Sequence, residues 1–266
     1  MSASTARPRL DLAWRQLATS SEPHATLVAL PSLGTTTRVW EPVARSLGTG
    51  WDVLGVDLPG HGSAHPRDVP LEVRELATAV APSLLAWVRT RRLVLAGVSL
   101  GGAMALELAG EVDAVGVLIV NSGLRFGDSA GWDRLRAAVR VGGTAALAEE
   151  SAVGWFSEEF RSAHPELVAC YLDDLAAIDD RSYLRCCDAL EAYDGRAAAA
   201  RAIPPLIAVG TSDDPATPAS GMRELAAAVV GARYLELEAG RHLANVENPE
   251  RIAALITELG AADECS

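Results

Sequence analysis

Two kinds of apolar run take turns along this chain. Ala25 to Leu30, Leu93 to Ala96 and Ala114 to Val120 are short and nearly unbroken, the pattern of strands covered on both faces. Trp51 to Asp57, Pro205 to Val209 and Tyr234 to Leu237 also predict strands. The alternation of Leu10, Leu12 and Trp14 predicts an opening strand over Leu10 to Leu17. Between them, apolar residues recur at helical spacing. Helices are predicted over Val39 to Leu47, Leu71 to Val88 with a kink at Pro82, Ala103 to Ala109, Gly221 to Val230 and Pro249 to Leu259. Strand and helix in alternation imply an α/β fold, a mostly parallel sheet with helices on both faces.

The alternation stops at Asn121 and resumes only near residue 203. The segment between is rich in Ala, Arg, Asp and Glu and predicts helices without a strand. Roughly 80 residues replace a connection that normally takes ~2–6. The expected organisation is an α/β core from 1–120 and 203–266, with 121–202 inserted as a helical cap over the site. Open parallel sheets bind ligands at the carboxyl ends of their strands. The loop at 31–36, Ser99, the Asp213-Asp214 pair and His242 each follow a predicted strand, so they are expected to share that edge.

Composition then narrows the chemistry. At 266 residues the chain can bury a sizeable core, and its net charge of −12 argues against a nucleic-acid partner. Every one of the 23 basic residues is arginine, which excludes chemistry through a lysine Schiff base. The four cysteines, Cys170, Cys186, Cys187 and Cys265, lack metal-site spacing, so no metal and reduced thiols in a cytoplasmic setting are expected. Met1 to Gln16 carries charges without a long apolar core, and no uncharged apolar run reaches about 18 residues, so neither a signal peptide nor a membrane span is expected. The oligomeric state is left open.

The stretch Leu93-Val94-Leu95-Ala96-Gly97-Val98-Ser99-Leu100-Gly101-Gly102 is strand, tight turn and helix, with a serine at the apex. Gly97 and Gly101 stand where a Cβ would collide across such a turn. Ser99 Oγ is thereby presented at a helix N-terminus, where the dipole and free N–H groups favour developing negative charge. Ser99 is the candidate nucleophile. The backbone N–H groups of Leu100 and of Leu33, in the early loop, are the candidate oxyanion donors.

A serine nucleophile needs a base and an acid that orients it. Of the five histidines, His24 and His164 are expected at the surface, and His65 lies in a Pro-containing loop. His61, within Gly60-His61-Gly62, is expected to hold its loop by hydrogen bonds. His242 follows the last strand, where the order Ser…Asp…His places the base. After the penultimate strand come two candidate acids, Asp213 and Asp214.

Taken together, Ser32-Leu33-Gly34-Thr35-Thr36 with Trp40, Gly60-His61-Gly62, Gly97-Val98-Ser99-Leu100-Gly101-Gly102, Trp155-Phe156, Asp214-Pro215-Ala216-Thr217-Pro218 and His242 with Asn245 to Glu250 resemble the α/β-hydrolase superfamily and, within it, the 3-oxoadipate enol-lactonases. The resemblance spans nearly the whole chain. It implies an α/β-hydrolase fold, a triad of Ser99, Asp214 and His242, no cofactor, and a small anionic lactone as substrate. With no lysine present, the substrate's carboxylate would need an arginine. Arg125, Arg134 and Arg136 at the start of the cap are candidates, as is Arg241 beside the base. Trp132 and Trp155 are candidate apolar walls. Rival readings on the same scaffold are C–C bond hydrolysis or perhydrolysis, and a non-catalytic binding protein. Intact Ser99, Asp214 and His242 argue against the last.

Overall fold

Seven strands form one sheet in the order β1-β3-β2-β4-β5-β6-β7. They are β1 (Ala13–Ala18), β2 (Ala25–Leu30), β3 (Trp51–Asp57), β4 (Leu93–Val98), β5 (Gly116–Val120), β6 (Leu206–Thr211) and β7 (Arg233–Leu237). The computed structural model describes residues 10, 12–88, 92–201 and 203–261, without the side chains of 83 and 85–87. The N-terminal stretch to residue 9 and Cys265 therefore lie outside the described residues. Only β1 runs antiparallel, to β3; all other neighbouring pairs are parallel. Strands β2 to β6 are buried along their whole lengths, Asp52 and Asp57 of β3 included, and β7 is only half-buried at the edge.

The helices are α1 (Glu41–Leu47), α2 (Val73–Trp87), α3 (Leu100–Leu108), α4 (Ser129–Gly142), α5 (Ala148–Trp155), α6 (Glu158–Ala163), α7 (Pro165–Ala176), α8 (Asp180–Glu191), α9 (Arg196–Ala199), α10 (Ala219–Ala228), α11 (Ala244–Glu247) and α12 (Pro249–Ala261). Gly116 and Ile119 are three positions apart on β5, so they point to opposite faces of the sheet. Gly116 lies under Leu259 of α12, whereas Ile119 meets Gly102 of α3, so these two helices cover opposite faces. Two local expectations shift. The helix expected from Val39 begins as a 3-10 turn at Thr37–Trp40, and the α-helix starts one residue before Pro42, which fits a first turn because its missing N–H has no partner to lose there. The opening strand expected from Leu10 begins at Ala13, whereas Pro82 lies inside α2, within the helix expected over Leu71 to Val88.

Helices α4 to α9 occupy the segment between β5 and β6, and that segment carries no strand among the described residues. They rest on loops that follow strands. Asp174 of α7 accepts from Thr36 Oγ1 at 2.9 Å and from Arg38 Nε at 2.8 Å. The Asp179 N–H donates to Gly60 O, and the Leu243 N–H donates to Trp155 O. Glu247 accepts from the N–H and Oγ of Ser157, the hydroxyl at 2.5 Å. The helical insertion is thus held over the carboxyl edge of the sheet. No helix among the described residues is long and apolar enough to cross a membrane.

A Cβ on Gly101 would come within 2.1 Å of Leu30 O, a backbone atom that cannot swing away, whereas one on Gly221 meets nothing within 4 Å. Gly101→Ala is expected to destabilise the fold by ~3 kcal/mol or more in urea denaturation. Gly221→Ala, in α10, is expected to be neutral or stabilising by up to ~1 kcal/mol.

Candidate active site

Strand β4 leads directly into α3, and Ser99 is the residue at the corner. Its backbone sits at φ 56° and ψ −118°, a left-handed conformation that costs a non-glycine residue of order 1–3 kcal/mol. Neighbours hold it there. Its N–H donates to Val120 O at 3.0 Å, and its carbonyl accepts from Ser122 Oγ at 2.8 Å and from the Ala103 N–H at 3.1 Å. A Cβ on Gly97 would lie 2.0 Å from Gly101 O, so the turn closes only around glycine. Leu100 opens α3, and its N–H belongs to the first turn, where no intrahelical acceptor exists.

His242 and Asp214 meet in the interior, 2.9 Å apart through Nδ1 and Oδ2. The carboxylate is fully engaged. Oδ1 accepts from the N–H groups of Ala216 at 2.8 Å and Thr217 at 3.2 Å, and Oδ2 accepts from Thr217 Oγ1 at 2.5 Å. Burial acts against its charge, but the attraction and hydrogen bond of His242, with those of Thr217 and Ala216, outweigh it and hold the carboxyl below its usual range. Asp213, the other candidate acid, is exposed and pairs with Arg241 Nε at 2.8 Å instead. On the far edge of the imidazole, Nε2 faces Ser32 Oγ at 3.4 Å.

Leu33 follows Ser32 in a turn closed by Thr35 N–H and Thr35 Oγ1, both donating to Ser32 O. Its own N–H has no acceptor among the described residues, as an oxyanion donor requires. His61 braces this turn from below. Its Nδ1 donates to Pro59 O at 2.9 Å, and its Nε2 accepts from the Gly34 N–H at 3.2 Å. The ring is fully buried, and that burial lowers its pKa from 6.5 to about 4, so it stays neutral and keeps its acceptor. The loop-holding role expected of His61 is the one its contacts describe.

A cavity of about 750 Å³ opens beside Leu33, walled by Leu135, Leu147, Trp155 and Tyr183, with Arg241, Glu149 and Glu150 among its polar lining. Trp155, one of the two candidate walls, lines this cavity. The other candidates are elsewhere. Arg136 is buried and held by Asp133 at 2.9 Å, Glu191 at 2.7 Å and Asp188 at 3.4 Å, so its charge is consumed in joining α4 to α8. Arg125 pairs with Asp194 at 2.9 Å and lines a separate cavity of about 320 Å³ together with Trp132, whose Nε1 donates to Phe126 O. Arg134 stands exposed on α4. The arginine that does line the larger cavity is Arg241, steadied by Asp213 and by Val153 O at 2.6 Å from Nη1.

Sequence reasoning missed several participants. Thr217 hides in Asp214-Pro215-Ala216-Thr217, whose three-residue spacing is that of a side-chain-capped turn. Asn121 and Ser122 read as the end of a strand. Tyr183, which with Cys186-Cys187 belongs to the family resemblance but takes no role from it, stacks against His61. Cys186 and Cys187 are buried, the first pushed up to about 12, which leaves them unreactive packing groups. No three His, Cys, Asp or Glu side chains converge to hold a metal ion among the described residues.

A strand-turn-helix serine, a buried carboxylate–imidazole pair and two unengaged amides on one sheet edge define an α/β-hydrolase type of site. Residues 27–255 match the alpha/beta hydrolase family, and the chain belongs to it. Among its relatives, 3-oxoadipate enol-lactonase 2 of Acinetobacter baylyi is 27% identical over 228 residues, which is 84% of each chain. The crystal structure of the enol-lactonase from Burkholderia xenovorans superposes with a TM-score of 0.85 at 26% identity, covering 93% of this chain and 95% of that one. A pyrrolizixenacetamide deacetylase of Xenorhabdus hominickii is 26% identical over 226 residues, covering 82% of this chain and 83% of that one.

Two outcomes follow from the geometry. The unfolded chain protonates His61 near 6.5 and the folded one only near 4, so the unfolded state binds the extra proton in between. Stability is expected to be complete above about 6.5 and to fall by about 3 kcal/mol as pH drops toward 4, read from urea denaturation across that window. His61→Gln should lack this part of the slope. Asp214→Asn is expected to lower kcat on para-nitrophenyl acetate by ~10³–10⁴, and Asp213→Asn by less than ~10-fold. The reverse order would transfer the orienting role to Asp213.

Proposed function

We propose that this hydrolase opens a small anionic enol-lactone of the 3-oxoadipate type through an acyl-serine intermediate. The observation that carries the reading is the buried Asp214–His242 pair on the same sheet edge as the strained Ser99. His242 Nε2 takes the proton of Ser99 Oγ as the oxygen attacks the ring carbonyl. The Leu33 and Leu100 amides stabilise the oxyanion, at a typical value of ~3 kcal/mol for each donor. Collapse breaks the ring C–O bond and expels an enolate, which takes that proton back from His242 and tautomerises to the ketone. Water, deprotonated by His242, then attacks the acyl carbon and releases Ser99 and a carboxylate. An enolate leaves far more readily than an alkoxide, so the triad alone suffices.

The likeness to enol-lactonases supports the lactone, and Arg241 in the cavity supports the anion. A molecule of this class needs no nucleic acid, cofactor or membrane. The free thiols of Cys170, Cys186 and Cys187 support a reducing, cytoplasmic setting. One observation favours a second reading. Glu149 and Glu150 also line the cavity, and Asp213 already balances Arg241, an environment that suits a neutral ester or lactone.

Turnover of an enol-lactone carrying a carboxylate, set against its methyl ester, distinguishes the two. Under the anionic reading the acid is preferred in kcat/KM, and Arg241→Gln is expected to raise its KM ~10-fold or more while moving that of the methyl ester by less than ~2-fold. Preference for the methyl ester, with equal effects of Arg241→Gln on both, would establish the neutral substrate.

A further inference from the structure

We propose that Asn121 and Ser122, the two residues that follow β5, are positioning residues that set the distance and angle between Ser99 and His242. The inference rests on the acyl-serine reading above. Each of the two residues grips the backbone of a different triad member. Ser122 Oγ donates to Ser99 O at 2.8 Å. Asn121 Nδ2 donates to Arg241 O at 2.8 Å and to His242 O at 3.0 Å. Because the two residues are joined by one peptide bond, the nucleophile turn and the base loop are fastened to a common point.

That point is rigid. The Asn121 N–H donates to Val209 O at 2.9 Å, which carries the β5–β6 ladder one residue past the strand end. Asn121 Oδ1 accepts from the Thr211 N–H at 2.9 Å, and Thr211 Oγ1 donates to Arg241 O at 3.1 Å. The carboxamide has no solvent exposure, and the N–H of Ser122 meets Met222 Sδ at 3.0 Å. The base loop needs such an anchor because β7 ends at Leu237, five residues before His242. Asp214 fixes the rotation of the imidazole through Nδ1, but its hydrogen bonds do not fix the main chain from which the ring projects.

The residue type answers both demands of the site. Asn121 has φ 42°, a left-handed conformation that only glycine and asparagine adopt routinely. A carboxamide also supplies donors and an acceptor at once, so it can take the Thr211 N–H while giving to two carbonyls. Neither Asn121 nor Ser122 lines the cavity beside Leu33, so their loss leaves substrate contacts in place.

Glycine at 121 keeps the backbone conformation and removes only the carboxamide, which makes Asn121→Gly the diagnostic change. Wild type, Asn121→Gly, Ser122→Ala and Ser99→Ala are compared by the rate of labelling with a fluorophosphonate, by kcat and KM on para-nitrophenyl acetate, and by thermal midpoint. A misplacement of about 1 Å in such a pair costs ~10²-fold, so Asn121→Gly is expected to lose ~10²-fold in both kcat and labelling rate per folded molecule, with KM changed by less than ~2-fold. Ser122→Ala is expected to show a smaller loss of the same kind, and it decides the matter if Asn121→Gly does not fold. Labelling of Ser99→Ala at the wild-type rate would remove the acyl-serine reading itself. With Ser99→Ala silent, wild-type kcat per folded molecule in the folded variants, or a loss carried by KM, would overturn the positioning role alone.

Discussion

The approach of backbone to backbone between Gly97, Gly101 and Leu30 is the constraint from which the site is built. Gly97 lies under the carbonyl of Gly101, and Gly101 lies under the carbonyl of Leu30. No side chain fits at either place, so the corner after β4 is locked against the end of β2. This one contact has three results. It drives Ser99 into its left-handed backbone, it places the free N–H of Leu100 at the start of α3, and it sets the loop from Ser32 to Thr35 beside both. The unfavourable conformation of Ser99 persists because the surrounding structure over-determines it, through Val120, Ser122 and Ala103.

Around that corner the buried polar groups are satisfied by division of labour. His242, Thr217 and the Ala216 amide hold the Asp214 carboxyl below its usual range against burial, Asp214 in turn accepts from His242 Nδ1, and His61, neutral through burial, holds the Gly34 amide. Positive charge in the helical insertion is used differently. Arg136 and Arg125 are matched by Asp and Glu of neighbouring elements, so they tie helices and loops together and present no free cation. The shape of the insertion is thus maintained by the same residue type that substrate recognition would call on, and neighbouring carboxylates decide which arginine does which.

How much of this was legible in the sequence depends on the range of the interaction that decides it. The bounds of β2 and β3 coincide with the predicted ones, because a strand buried on both faces is mostly apolar along its length, with polar residues such as Asp57 kept where loop N–H groups satisfy them. The turn at Ser99 was legible for the same local reason, since two glycines at fixed spacing report a steric demand. Which of the four candidate arginines lines the cavity was not. Arg136 is satisfied partly by Asp133 three residues away, but also by Asp188 and Glu191 from α8, and no one-dimensional pattern shows which helix faces meet. Asn121 was illegible in another way. It ends an apolar strand and begins a polar stretch, so it looks like a boundary, while its partners Arg241 and His242 lie about half the chain away.

Glu247 gives the insertion a property that its helices alone would not have. One carboxylate accepts from the Arg241 N–H and from Ser157 at the head of α6, so it is shared between the loop that carries His242 and the helical insertion. Any shift of Ser157 relative to the sheet would therefore pull on the peptide next to His242.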